Sequence, residues 1–132
     1  MRNRNAMKQP FVLVIDDEPQ VADTARFFLK RAGFDARSAY SAEEGLELAF
    51  ETEPDVIVLD IALPRINGLD ILRRLKAHAA TARIPVILTS GHDPFDCSGA
   101  FTFLMKPFDE ASLVSAACNA MVHSPEPEPL AA

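Results

Sequence analysis

Residues 11–17 read Phe-Val-Leu-Val-Ile-Asp-Asp, five apolar residues that run straight into two carboxylates. The run does not alternate, so it fits a strand buried on both faces, and such strands belong to parallel sheets covered by helices. The pattern recurs three times. VIVL (56–59) ends on Asp60, PVILT (85–89) on Ser90, and FTFLM (101–105) on Lys106-Pro107. Four strand ends bearing polar groups imply one site beyond the carboxyl edge of a sheet, where open α/β folds place their chemistry.

The segments between these runs have helical length and punctuation. Pro19 opens a first helix over about 19–32, with Val21, Ala25, Phe28 and Leu29 on one face and Gly33 as its stop. The strand at 34–39 is the most polar and therefore an edge. Ser41 and Glu44 form a capping box for a second helix that buries Ala42, Leu46, Ala49 and Phe50 and ends at Pro54. A third strand (55–59) leads through the loop IALPRING (61–68), whose Pro64 and Asn67-Gly68 are turn residues, into a helix carrying Leu69, Leu72 and Leu75. Asp109 suits the N-cap of a last helix through Leu113, Ala117, Ala120 and Met121.

Strands alternating with helices predict an α/β fold: a doubly wound five-stranded parallel sheet with right-handed crossovers. One crossover departs from this. Only GHDPFDCSGA (91–100), with Pro94 and two glycines, separates Ser90 from the last strand. That is near the minimum for a parallel connection, so the fourth helix is expected to be shortened or irregular. The domain is expected over 10–123, between a flexible segment (1–9) and a disordered tail rich in Pro and Glu (124–132).

A chain of 132 residues supports one core. Its net charge of -6, with no basic cluster beyond the first eight positions, excludes a direct nucleic-acid surface. No stretch reaches the ~18 apolar residues that span a bilayer, and the basic N-terminus lacks the apolar core of a signal peptide. No membrane association and a cytoplasmic location are expected, with Cys97 and Cys118 as free thiols.

Converging Asp16, Asp17 and Asp60 would repel and raise one another's pKa without a cation. With no His or Cys in the set, oxygen ligands favour Mg²⁺ over zinc. Lys106 and the Ser90 hydroxyl would complete a pocket for a phosphoryl group, and the central carboxylate could serve as its nucleophile. Each residue also has a plainer role: Asp16-Asp17 as a helix cap, Asp60 in a turn, Lys106 held extended by Pro107, Phe103 in the core. Thr89 competes with Ser90, since alternation turns only one toward the site. His78 and His123 fit solvated positions.

DDE (16–18), DIALPRING (60–68), TSG (89–91) and KPF (106–108), in this order and spacing, resemble the receiver domain of two-component response regulators. The resemblance covers about residues 10–123 and points to single-domain members similar to chemotaxis response regulators. It implies the flavodoxin-like strand order 2-1-3-4-5. It implies that Asp60 accepts a phosphoryl group from a histidine kinase or histidine phosphotransfer protein. Mg²⁺ would be bound by Asp17, Asp60 and the backbone carbonyl of Ala62, with Asp16 acting through a water. Ser90 and Lys106 would contact the phosphoryl oxygens, and Gly91 would keep the approach open.

The same resemblance makes Ser90 and Phe103 the switch pair and gives Ala62 and His92 influence over dephosphorylation. Phe27 points away from the apolar face of the first helix, where receiver domains dock their kinase, so Phe27 and Val21 are expected partner contacts. The downstream partner would be another protein, and the chain a monomer or weak homodimer. The implied function is a phosphoacceptor switch or relay carrier, a signalling protein that catalyses its own phosphorylation and dephosphorylation rather than an enzyme in the usual sense. Two other readings compete. An aspartate-nucleophile phosphohydrolase wants a second carboxylate two residues after the nucleophile, where Ala62 stands, and a phosphorylation-independent interaction module has little use for so costly a charge cluster.

Overall fold

The computed structural model describes residues 9–92 and 98–122. Five parallel strands, β1 (Phe11–Ile15), β2 (Asp35–Ala39), β3 (Val56–Asp60), β4 (Val86–Ser90) and β5 (Thr102–Met105), form one sheet in the order β2-β1-β3-β4-β5. β1, β3 and β4 are buried along their whole length, as their unbroken apolar runs require, whereas β2 alternates and sits at an edge. Register places Val14 beside Val58 and Leu59 beside Leu88, so the strands end level and their terminal residues share one rim.

Four helices cover the two faces. α1 (Pro19–Arg31) and α4 (Glu110–Val122) lie over one layer, where Val12, Val14, Val58 and Ile87 meet Ala22, Ala25, Leu29, Leu113 and Ala117. α2 (Ala42–Thr52) and α3 (Gly68–Ala77) enclose the other, around Leu13, Ile15, Ile57, Leu59, Leu72 and Leu75. Ser41 accepts a bond from the amide of Glu44, and the Glu44 carboxylate accepts one from the amide of Tyr40. Asp109 caps α4 through the Ser112 amide at 2.8 Å. At the opposite end of the sheet, buried Asp55 accepts a 2.7 Å bond from the Phe11 amide and ties the starts of β1 and β3 together.

Two details differ from the sequence reading, in α1 and in α2. The face α1 buries is Ala22, Ala25 and Leu29, with Val21 only half-buried at its border, because Ala22 packs closer to the sheet. In α2 the buried residues are Ala42, Gly45 and Ala49, with Leu46 and Phe50 half-buried beside them. A Cβ on Gly45 would come within 2.7 Å of the Ile15 side chain, so a glycine rather than a leucine lets this helix approach β1. The connection from Ser90 to Thr102 contains no helix among its described residues. The expectations for 1–8, for Cys97 with the rest of 93–97, and for His123 and the tail lie outside the described residues.

Gly68 has the tightest surroundings of the glycines. Its amide donates to the Ile61 carbonyl at 2.7 Å, and an added Cβ would lie 2.4 Å from the Asp60 carbonyl oxygen and 2.6 Å from the Ile61 Cα. Gly33, by contrast, adopts φ +101° with open space around it. Gly68→Ala therefore costs roughly 2–4 kcal/mol by forcing backbone apart, and Gly33→Ala about 1–2 kcal/mol through strain alone. Urea unfolding measures both, and a Gly33→Ala variant less stable than Gly68→Ala would contradict this packing.

Candidate phosphoacceptor site

The rim of the sheet is built by backbone bonds that align the strand ends. The Asp16 amide donates to the Ala39 carbonyl (3.0 Å), the Ile61 amide to Thr89 (2.9 Å), and the Lys106 amide to Ser90 (2.7 Å). This places Asp16, Asp17, Asp60, Ser90 and Lys106 on one edge. Oxygens of Asp16, Asp17 and Asp60 all lie within 4.8 Å of one another, and Asp16 and Asp60 are each 3% exposed.

Lys106 is the counterweight. Its Nζ lies 2.7 Å from Asp16 Oδ2, 3.3 Å from Asp60 Oδ2 and 3.6 Å from Glu18 Oε1. The other Asp16 oxygen accepts the Glu18 amide at 3.0 Å, so Asp16 is engaged on both sides. Asp60 Oδ1 accepts the Ala62 amide at 3.1 Å. Burial, and after it the charge of Asp16, raise the Asp60 pKa above the usual carboxylate range despite the opposing bonds from Ala62 and Lys106. Burial also works against the charge of Lys106, but its hydrogen bond and attraction to Asp16, then to Asp60, raise its pKa. The site carries more negative charge than one ammonium can balance.

Two openings reach this edge. One, of about 530 Å³, runs beside α1 and is lined by Glu18, Val21, Thr24, Lys106 and Phe108. The other, of about 540 Å³, lies over the loop after β3 and is lined by Ala62, Arg65, Asn67, Ser90 and His92. Lys106 precedes a cis peptide to Pro107, which begins the turn into α4.

Residues 12–118 match the family model of the response regulator receiver domain. The chain belongs to this family. Over 113 residues the receiver domain is 35% identical to the DNA-binding dual master transcriptional regulator RpaA of Synechocystis, an alignment covering 80% of this chain and 46% of RpaA. The chain thus spans about half the length of that relative. A response regulator receiver domain from Clostridium thermocellum superposes with a TM-score of 0.79 at 34% identity, covering 86% of this chain and 94% of that one. A CheY-like receiver domain protein from Methanospirillum hungatei, 24% identical, shares the fold at a TM-score of 0.79 over 87% of this chain and 95% of its own.

Receiver domains bind Mg²⁺ at an acidic pocket, and the three aspartates here form a cluster able to hold such an ion, all oxygen and free of softer ligands. The remaining residues singled out by sequence lie as follows in this receiver domain. Ser90 lines the second opening and accepts the His92 amide at 3.0 Å, while Thr89 is sealed at 1% exposure. Ala62 and His92 are exposed at that opening. Phe103, beside Leu88 in register, is half-buried against the α2–α3 layer. Phe27 is 58% exposed on α1, with the Arg31 guanidinium 5.4 Å from its ring centroid, and Val21 lines the first opening. Sequence reasoning did not find the Asp16–Lys106 pair or the position of Arg65, since neither follows from spacing.

A carboxylate whose folded pKa is raised holds its proton more readily in the fold, so its ionised form costs stability above that pKa, and the cost vanishes below the unfolded value of ~3.9. Without divalent cations, Asp60→Asn should therefore raise Tm at pH 7 by roughly 3–6 °C, as for a gain of about 1 kcal/mol in a domain of this size. The gain should vanish as pH falls below ~4. Thermal melts across pH test this, and a loss of stability at pH 7 would contradict it.

Proposed function

We propose that this receiver domain is a phosphoacceptor switch or relay protein of a two-component system, taking a phosphoryl group onto Asp60 from a phosphohistidine of a histidine kinase or phosphotransfer protein. The observation that carries this reading is a buried carboxylate with raised pKa, one lysine at 3.3 Å and two further carboxylates beside it. In the transfer, an Asp60 oxygen attacks phosphorus, the P–N bond breaks, and the bond's electron pair stays with a ring protonated on its other nitrogen, which leaves as neutral imidazole.

Asp17, Asp60 and the Ala62 carbonyl would hold Mg²⁺, with Asp16 contributing through a water. That ion neutralises charge on the phosphoryl oxygens. Lys106 supplies a fixed positive charge on the other side, and its pairing with Asp16 keeps the ammonium aimed at the rim. The Ala62 amide, which donates to Asp60, and the Ser90 hydroxyl, which accepts from the His92 amide, would donate to phosphoryl oxygens. Movement of Ser90 toward the phosphoryl group would free space for Phe103 to turn inward, a shift between two populations that alters the surface offered to a downstream partner. Ala62 and His92, flanking the route for water, would set the lifetime of the phosphorylated state.

Incubation with a radiolabelled small acyl phosphate tests the assignment. Label should appear only with Mg²⁺, be released by hydroxylamine as expected of an aspartyl mixed anhydride, and be absent from Asp60→Asn. Label that survives that substitution, or that resists hydroxylamine, would overturn it.

A further inference from the structure

Arg65 stands in the middle of the loop between Asp60 and Gly68 with φ +71°. Pro64 followed by a residue of positive φ is the arrangement of a type II turn, whose third position normally takes Gly or Asn. Among the described residues the other non-glycine residue with positive φ, Glu53, ends α2 and closes it with a bond from its amide to the Ala49 carbonyl. Arg65 closes no helix. Its side chain has no ion pair or hydrogen bond among the described residues, and it is exposed. The chain thus keeps a strained arginine where glycine would be more comfortable, and such strain concentrates at functional positions.

The surroundings say what the arginine serves. It lines the 540 Å³ opening together with Ala62, Ile66, Asn67, Ser90 and His92, and none of the described residues lining that opening is acidic. The inner wall is Ala62, whose amide holds the Asp60 carboxylate, and Ser90. The opening beside α1 carries both Glu18 and Lys106, whose charges offset each other. The opening with the guanidinium therefore carries a positive charge that no acidic lining residue offsets, beside the Ala62 that holds Asp60, and it suits a small doubly charged anion.

We infer that Arg65 is the capture residue for a small acyl phosphate that phosphorylates Asp60 through this opening without a kinase. The inference rests on the phosphoacceptor reading of Asp60. The guanidinium pairs with the donor's phosphate oxygens. An Asp60 oxygen then attacks phosphorus, the bond from phosphorus to the acyl oxygen breaks, and the carboxylate of the donor leaves. No proton is gained or lost.

The test is the dependence of the phosphorylation rate on acetyl phosphate concentration, with Mg²⁺ saturating, for the full chain and its Arg65→Gly and Arg65→Lys variants. Arg65→Gly should melt at the same temperature as the parent or higher, since glycine relieves the strain. Its KM should rise roughly three- to tenfold, as for loss of one exposed charge contact, while the maximal rate is unchanged. Arg65→Lys should recover part of the KM. An unchanged KM in Arg65→Gly, a fall in maximal rate without a rise in KM, or a lower melting temperature would overturn the inference. If the parent chain takes no label at all, it is the phosphoacceptor reading that fails.

Discussion

The ion pair between Lys106 and Asp16, with Asp60 0.6 Å farther from the same nitrogen, is the contact on which the rest of the site depends. It joins the end of β5 to the end of β1 across β3 and β4, so the sheet must close in the order observed for the pair to exist. Its charge balance is incomplete. One ammonium faces Asp16, Asp60 and the more distant Glu18, with Asp17 beside them. The raised pKa of Asp60 is the physical expression of that imbalance. A cluster left short of positive charge favours a hard cation. The fold tolerates the cost because two apolar layers hold the rim in place.

Much of this was legible in the sequence because the signals were local. Unbroken apolar runs marked the buried strands, the polarity of 35–39 marked the edge, and Ser41, Glu44 and Asp109 marked helix starts. What escaped was close approach. Ala22 rather than Val21, and Gly45 rather than Leu46, meet the sheet, since periodicity locates a face but not which residue on it lies nearest the neighbouring layer. The same holds for the site: the strand ends announced its members, but the sharing of Lys106 between two carboxylates depends on distances that no spacing encodes. Arg65 was hidden for a further reason. Its positive φ contradicts its residue type, and only coordinates reveal such a conflict.

β4 and β5 of this receiver domain pack to different depths. β4 is buried throughout, yet every residue of β5 is at least partly exposed, with Met105 at 45%. The polar groups at the strand ends are nonetheless held, because Lys106 bonds to Ser90 through its backbone and to Asp16 through its side chain. Site geometry thus depends on the strand ends and on the loop pinned at Gly68, whereas the half-buried Phe103 sits where packing is looser.

The central claim is that the carboxylate cluster is short of positive charge, a deficit that a divalent cation relieves. Thermal melts of the unphosphorylated chain with increasing Mg²⁺ test it directly, because a ligand that binds only the folded state raises Tm with the logarithm of its concentration above Kd. The parent chain should show that rise, and Asp17→Asn should flatten it. A parent chain indifferent to Mg²⁺, or a rise undiminished in Asp17→Asn, would contradict the account.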